Sequence, residues 1–194
     1  MYPLKGMNFV LKAMALLLPK YPSLHLYVAG NSVIENSTWK EKIKLPAYGK
    51  YMLKLIEEKG LFGKVIMLGK LDGEEMKRQF LKSSLYVCPS VLENSPNTVG
   101  EAMLLGVQVA ASRTGGIPDM IEDGVDGLLF PAGDERRLAE AIEALWDRNQ
   151  DKDGLCLAQR ISGRARQRAG RVHDGEKNYE RLMEIYSVIL DETK

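Results

Sequence analysis

With 194 residues, and 27 Lys and Arg against 26 Asp and Glu for a formal net charge of +1, the chain fits one folded domain and lacks the basic excess of a nucleic-acid-binding domain. A composition that is 45% hydrophobic and 27% charged excludes disorder, collagen and coiled coil, and a chain this long buries roughly 70% of its unfolded surface without disulfide or metal staples. Cys88 and Cys156 make no disulfide framework and point to a reducing, cytoplasmic compartment; no apolar run reaches the ~20 residues of a membrane span, and no signal-peptide core stands clear of Lys5 and Lys12.

Met7, Val10, Leu11, Met14, Leu17 and Leu18 recur at helical spacing, and Pro19 and Pro22 end that helix. Leu24–Ala29 reads as an apolar strand closed by Gly30, and 31–46 as a long polar loop. A helix over Tyr48–Lys59 stops at Gly60, and a buried strand Val65–Leu68 ends at Gly69. Glu74–Lys82 reads as a helix, and Leu85–Cys88 as a strand closed by Pro89. The alternation continues with a helix at Pro96–Leu105, a strand at Val107–Ala111, a short helix near Pro118–Ile121 and a strand at Leu128–Phe130. Asp134–Trp146 carries Leu138, Ala141, Ile142 and Leu145 on one helix face, and two further helices cover Lys152–Ala169 and Glu176–Leu190. Short continuous apolar strands between longer helices predict an α/β fold: a Rossmann-like, doubly wound parallel sheet buried on both faces. Such a unit usually opens on a strand, yet this chain opens on a helix. The first strand is therefore expected to be missing or supplied from outside.

Ligands of an open parallel sheet bind at the carboxyl ends of its strands. The informative segment is Pro89 to Met103, after the Leu85–Cys88 strand. Ser95 suits an N-cap and Pro96 the first helical position. A helix N-terminus just past a strand end offers free N–H groups and a positive dipole end to an anion. Asn97 and Glu101, four apart, share a helix face, and Glu93 lies in the loop before it. A carboxylate beside a phosphate makes sense if it accepts hydrogen bonds from hydroxyls. The set suits a ligand with central phosphates and hydroxyl-rich groups on both sides, such as a nucleotide sugar. By spacing alone, the same residues also read as an ordinary cap and a solvated helical glutamate.

This segment resembles the donor site of retaining glycosyltransferases of family 4 (glycosyl transferases group 1), which have the GT-B fold. Their signature is Glu, seven residues, Glu, then Ala-Met, and Glu93, Glu101 and Ala102-Met103 match it. Gly106-Val107, Gly115 to Ile121, and Asp123-Gly124 through Gly127-Leu128-Leu129 also look like this family, and the likeness runs from Leu4 to the final helix. The resemblance implies that Glu101 binds ribose hydroxyls and that Glu93, in the catalytic position, contacts hydroxyls of the transferred sugar. It implies that Asn94, Ser95, Pro96, Asn97 and Thr98 line the helix start that holds the diphosphate. Lys5 matches a phosphate-binding lysine that follows the family's first strand, and Gly69 and Leu71 fall where the base pocket is lined. Asn94-Ser95-Pro96-Asn97 departs from the family's usual glycine-containing sequence after the first Glu. The family's Arg on the strand before the Lys has no counterpart after Met1, and its amino-terminal acceptor domain is not in the sequence.

The resemblance therefore implies that residues 1–194 are one C-terminal nucleotide-sugar-binding domain, half of a GT-B fold and a truncated or isolated piece of a longer enzyme that transfers poorly on its own. It implies a uridine diphosphate sugar as donor, a glycan or lipid-linked acceptor held by the other half, a role in polysaccharide assembly, and no metal cofactor. No nucleic-acid partner is expected. The competing readings are a non-catalytic nucleotide-sugar-binding module and another enzyme of the fold, such as a nucleotide-sugar epimerase or a phosphorylase.

Asp151-Lys152-Asp153 matches a metal motif of another glycosyltransferase fold, but it follows a helix and reads better as a cap. Glu93 and Glu101 as hydrolase carboxylates do not suit a strand–loop–helix setting with few aromatics. Gly115-Gly116, near Arg113, reads either as a turn needing positive φ or as a loop against the donor site. No Gly-x-Gly-x-x-Gly fingerprint for a dinucleotide occurs. Arg160, Arg164, Arg166, Arg168 and Arg171 read as a solvated helix face or as peripheral contact with an anionic membrane. His25 in a strand and His173 between helices read as structural.

Overall fold

A computed structural model gives the fold and describes residues 2–30, 45–147 and 155–192. A 3-10 turn at Pro3–Lys5 leads into α1 (Met7–Leu17), β1 (Leu26–Ala29), α2 (Ala47–Glu58), β2 (Val65–Gly69), α3 (Gly73–Lys82) and β3 (Leu85–Cys88). The second half is α4 (Asn97–Leu104), β4 (Gln108–Ser112), α5 (Ile117–Met120), β5 (Leu128–Phe130), α6 (Glu135–Trp146), α7 (Leu157–Val172) and α8 (Gly175–Glu192). The expected elements are all found among the described residues, most with ends shifted by one to three positions. Most of the expected 31–46 loop, the Asp151-Lys152-Asp153 motif and the start of the Lys152–Ala169 helix lie outside the described residues.

The local chemistry sets several boundaries. Asp72 and Glu75 form a capping box: Glu75 N–H donates to Asp72 Oδ1 at 2.8 Å, and Asp72 N–H donates to Glu75 Oε2 at 2.9 Å. Asp134 caps α6 by accepting from the N–H groups of Arg136 and Arg137. No described helix is long and apolar enough to cross a membrane.

All strand pairs are parallel, as expected, but they form two sheets rather than one. β1 pairs with β2, and β3, β4 and β5 follow in order. Two cores lie on the sheet faces. α1, α2 and α6 bury Leu11, Met14, Met52, Ile56, Leu138 and Leu145 on one side. α4 and α7 bury Val99, Met103 and Ala165 on the other, with Phe80 and Ile117. β4 shows why the sheet is continuous there: Ala110 joins the first core while Val109 and Ala111 join the second. Burial of each such aliphatic side chain contributes about 1.5–3 kcal/mol.

The expectation that every strand is buried on both faces holds for β4 but not for β1. β1 alternates half-buried and exposed residues, and Tyr27 is 50% exposed. α8 keeps Tyr179, Leu182, Met183 and Tyr186 exposed at helical spacing.

Candidate functional site

Three chain segments meet at the carboxyl ends of β3 and β4. The first is Tyr2–Gly6. Gly6 is in the left-handed region, at φ 71°, and a Cβ there would fall 1.9 Å from the Pro89 carbonyl oxygen. Only glycine allows so close an approach in that conformation. Val91 N–H donates to Leu4 O at 2.9 Å, so the turn is laid directly over the β3 end. Lys5 is thereby delivered to Glu93, with Nζ 2.6 Å from Oε2.

The second segment is the loop from Pro89 to Pro96, and the third, Ser112–Gly116, bolts it in place. Ser112 Oγ donates to the Ser90 carbonyl, and Thr114 Oγ1 donates to the Val91 carbonyl at 3.2 Å. Gly116 N–H donates to the Asn94 carbonyl at 2.7 Å. Gly115 has φ 53°, and a Cβ there would fall 1.5 Å from the Glu93 carbonyl oxygen. Gly115-Gly116 is therefore both a turn needing positive φ and a loop packed on the Glu93 segment. Ser90 and Ser112 are almost wholly buried, as befits hydroxyls that tie one loop to another.

The Glu93 carboxylate is held below the ordinary glutamate range. The first cause is the hydrogen bond from Lys5; burial opposes it, and Ser90 Oγ, donating to Oε2 at 3.1 Å, adds to it. Glu93 is thus an ionised acceptor rather than a proton donor.

α4 starts one residue later than the cap reading places it. Its N-cap is Pro96, and no side chain caps the helix. Ser95 is a correction to the expected cap: its hydroxyl turns to Met120 Sδ, 3.6 Å away, because the β4–α5 loop packs beside it. The uncapped start leaves the Asn97 and Thr98 N–H groups without an acceptor among the described residues, and the dipole end stays available to an anion. Thr98 is fixed by Tyr86, whose hydroxyl donates to Thr98 Oγ1 at 2.8 Å. Burial raises the Tyr86 pKa well above the normal tyrosine value, so that phenol stays a donor.

The structure does not gather all the sequence-picked residues in one place. Lys5, Glu93, Pro96 and Thr98 line one end of a cleft of about 640 Å3. Asn94 and Ser95 line a separate hollow of about 350 Å3 with Gly116, Asp119, Arg168 and His173. Asn97 and Glu101 are exposed, and the Glu101 carboxylate makes no hydrogen bond or ion pair among the described residues. Neither residue lines either cavity. Gly69 closes β2 and Leu71 lies just after it, on the far side of β1, and neither lines either cavity.

Ser90, Ser112, Thr114 and Tyr86 are supporting residues that motif reading passes over. For Ser90, Ser112 and Thr114 the only sequence signal is a position at or beside the carboxyl end of a strand. His25 precedes β1 rather than lying in it, with Nδ1 2.7 Å from the Ser23 carbonyl oxygen. His173 ends α7 and packs over Gly100, where a Cβ would fall 2.4 Å from its Nε2. Cys88 and Cys156 are both buried.

The family model described as glycosyl transferases group 1 matches residues 1–168. The D-inositol 3-phosphate glycosyltransferase of Mycobacterium ulcerans is 27% identical over 157 residues, which is 81% of this chain but 31% of that protein. Anabaena Alr3699/HepE, solved in complex with UDP, superposes with a TM-score of 0.72 at 24% identity, covering 94% of this chain and 46% of that one. The C-terminal domain of a glycosyl transferase group 1 family protein (LpcC) from Francisella tularensis gives 0.70 at 21% identity, covering 89% and 81%. The chain spans less than a third of the length of the first curated relatives it matches. The expected Rossmann-like half of a GT-B fold is the fold found. With most of its length under the family model, this chain belongs to the glycosyl transferases group 1 family.

Proposed function

We propose that this chain is the donor-binding half of a retaining glycosyltransferase. The observation that carries the reading is Lys5 held against Glu93 beside the uncapped start of α4, in a chain of this family. A diphosphate at that start would receive the Asn97 and Thr98 N–H groups and the helix dipole, an attraction of about 0.3–1 kcal/mol, or more where partly buried. Lys5 would exchange its carboxylate partner for a phosphate oxygen. Glu93, freed from Lys5 but still tied to Ser90, would accept from hydroxyls of the sugar. Glu101, one turn into α4, would accept from ribose hydroxyls.

During transfer the oxygen of the acceptor hydroxyl bonds to the anomeric carbon while the bond from that carbon to the phosphate oxygen breaks, and the hydroxyl proton passes to the departing phosphate oxygen. Negative charge grows on the departing nucleoside diphosphate. Preorganised N–H donors and Lys5 stabilise that charge without rearranging, which is electrostatic catalysis. In this reading no metal is needed, and the acceptor is held by an amino-terminal half of a longer protein. UDP is the first probe because it is the nucleotide named with Alr3699/HepE.

Glu101→Ala is expected to weaken UDP binding about tenfold, ~1.4 kcal/mol. Glu93→Ala should leave UDP affinity intact, since it frees Lys5, while removing the extra affinity of a UDP-sugar over UDP. Calorimetric titration of both ligands measures this. Curves unchanged in both variants would refute the site.

A further inference from the structure

Tyr86 stands in β3 and reaches the second residue of α4, where its hydroxyl donates to Thr98 Oγ1 at 2.8 Å. Its ring packs edge-on against the buried Phe80, with centroids 5.2 Å apart and planes at 89°. In the sheet it lies opposite Val109 of β4, which is fully buried. Strand register and ring packing therefore fix where the phenol points. Tyr86 also borders the cleft of the candidate site, as do Thr98, Pro96, Glu93 and Lys5.

The direction of that hydrogen bond decides what Thr98 has left to offer. A threonine hydroxyl carries one hydrogen and two lone pairs. The Tyr86 hydrogen takes one lone pair, so Thr98 keeps its own hydrogen, and the staggered position facing Tyr86 is closed to it. Thr98 Oγ1 has no other hydrogen bond among the described residues. Accepting from the phenol also polarises the hydroxyl into a better donor. With no such neighbour, a threonine hydroxyl in the first turn of a helix turns back to a nearby backbone carbonyl. Four residues back, that carbonyl belongs to Asn94.

We infer that Tyr86 is a positioning residue for the diphosphate of the donor: it aims the Thr98 hydroxyl hydrogen into the end of the cleft that Thr98 shares with Lys5, Glu93 and Pro96. This rests on the donor-site reading and adds to it a residue that acts through another. Thr98 then presents two donors to one phosphate, its N–H and its hydroxyl. The phosphate is the acceptor that suits them, because hydrogen bonds to a charged oxygen are about twice as strong as neutral ones. Tyr86 does not serve the phosphate directly, since its hydrogen is already committed to Thr98 Oγ1. Burial keeps the phenol protonated, so this commitment does not lapse in the neutral range.

The test titrates UDP and uridine into the wild-type chain, Tyr86→Phe, Thr98→Val, the double variant and Thr98→Ser, and reads the ratio of the two affinities. A general loss of packing lowers both affinities alike, so the ratio isolates the phosphate contact. Thr98→Val should lower the ratio about tenfold and Tyr86→Phe about fivefold. The double variant should match Thr98→Val alone, because Tyr86 has nothing to act through once the hydroxyl is gone. Thr98→Ser keeps the hydroxyl and should hold the ratio within about twofold of wild type. A wild-type ratio in Tyr86→Phe beside a lowered one in Thr98→Val would overturn the inference and leave the donor site standing. Equal losses from Tyr86→Phe with and without Thr98→Val would overturn it as well, by making Tyr86 a packing residue only. A wild-type chain that binds UDP no better than uridine would overturn the donor-site reading and this inference with it.

Discussion

At Gly115 the backbone stands in the left-handed region with no room for a Cβ above the Glu93 carbonyl. Gly115→Ala must move either the β4–α5 loop or the Glu93 loop. We expect a loss of ~2 kcal/mol or more, read as a Tm drop of roughly 4–8 °C for a chain of this size, and UDP affinity lowered more than tenfold. A variant with wild-type Tm and affinity would show that the two loops are not coupled. Residue-scale chemistry was partly legible in the sequence. Glu93 and Lys5, 88 positions apart, were picked by the family pattern and do meet. Ser95 was misread, because a Ser-Pro pair before a helix looks the same whether the hydroxyl turns back to the helix or sideways to Met120. The hydroxyls that hold the loop, Ser90 and Ser112, carry no motif; only their depth of burial shows their role.

Among elements, α7 is tied to the site from behind. Arg168 Nη2 donates to the Asp119 carbonyl at 3.0 Å, and Nη1 lies 3.5 Å from Asp126 and 3.7 Å from Glu122. This links α7 to α5 and the turn after it, and α5 follows directly on the loop that binds Asn94. The basic stretch is thus not all solvated face: Arg168 is a structural anchor. Asp126 is almost fully buried and accepts from Glu122 N–H at 2.8 Å. Burial raises its pKa above the ordinary aspartate value, against the opposing pull of that N–H and of Arg168. Arg168→Met leaves this carboxylate poorly paired, and we expect a loss of about 3 kcal/mol at neutral pH. The sign follows from the raised pKa: the folded state binds the proton more tightly than the unfolded state, so the stability of the group rises as pH falls through that pKa. The Tm deficit of the variant should therefore shrink between pH 7 and pH 4, and a deficit independent of pH would contradict this assignment. Elements themselves were legible because their signals are local. The Asp72 box, the Asp134 cap and the helical spacing of α1 and α6 each fix an end or a face without help from the rest of the chain.

For the whole molecule, parallel strands between helices were legible from continuous apolar runs. The division into two sheets was not legible. Nothing in Leu26–Ala29 shows that one of its edges is open, because an apolar strand reads the same with one neighbour or two. Exposure of Tyr27 appears only when the sheet is assembled. The placement of Glu101 outside the main cleft was equally hidden, since sequence spacing gives the helix face but not the wall beside it. The account nevertheless rests on one physical claim, that the start of α4 and Lys5 together take up a diphosphate. The most direct check is calorimetric titration of the chain with UDP and with uridine, repeated on Lys5→Ala. The account predicts that UDP binds at least a hundredfold more tightly than uridine, ~2.7 kcal/mol or more, and that Lys5→Ala removes at least tenfold of that preference. Equal affinity for UDP and uridine, or a preference untouched by Lys5→Ala, would contradict it.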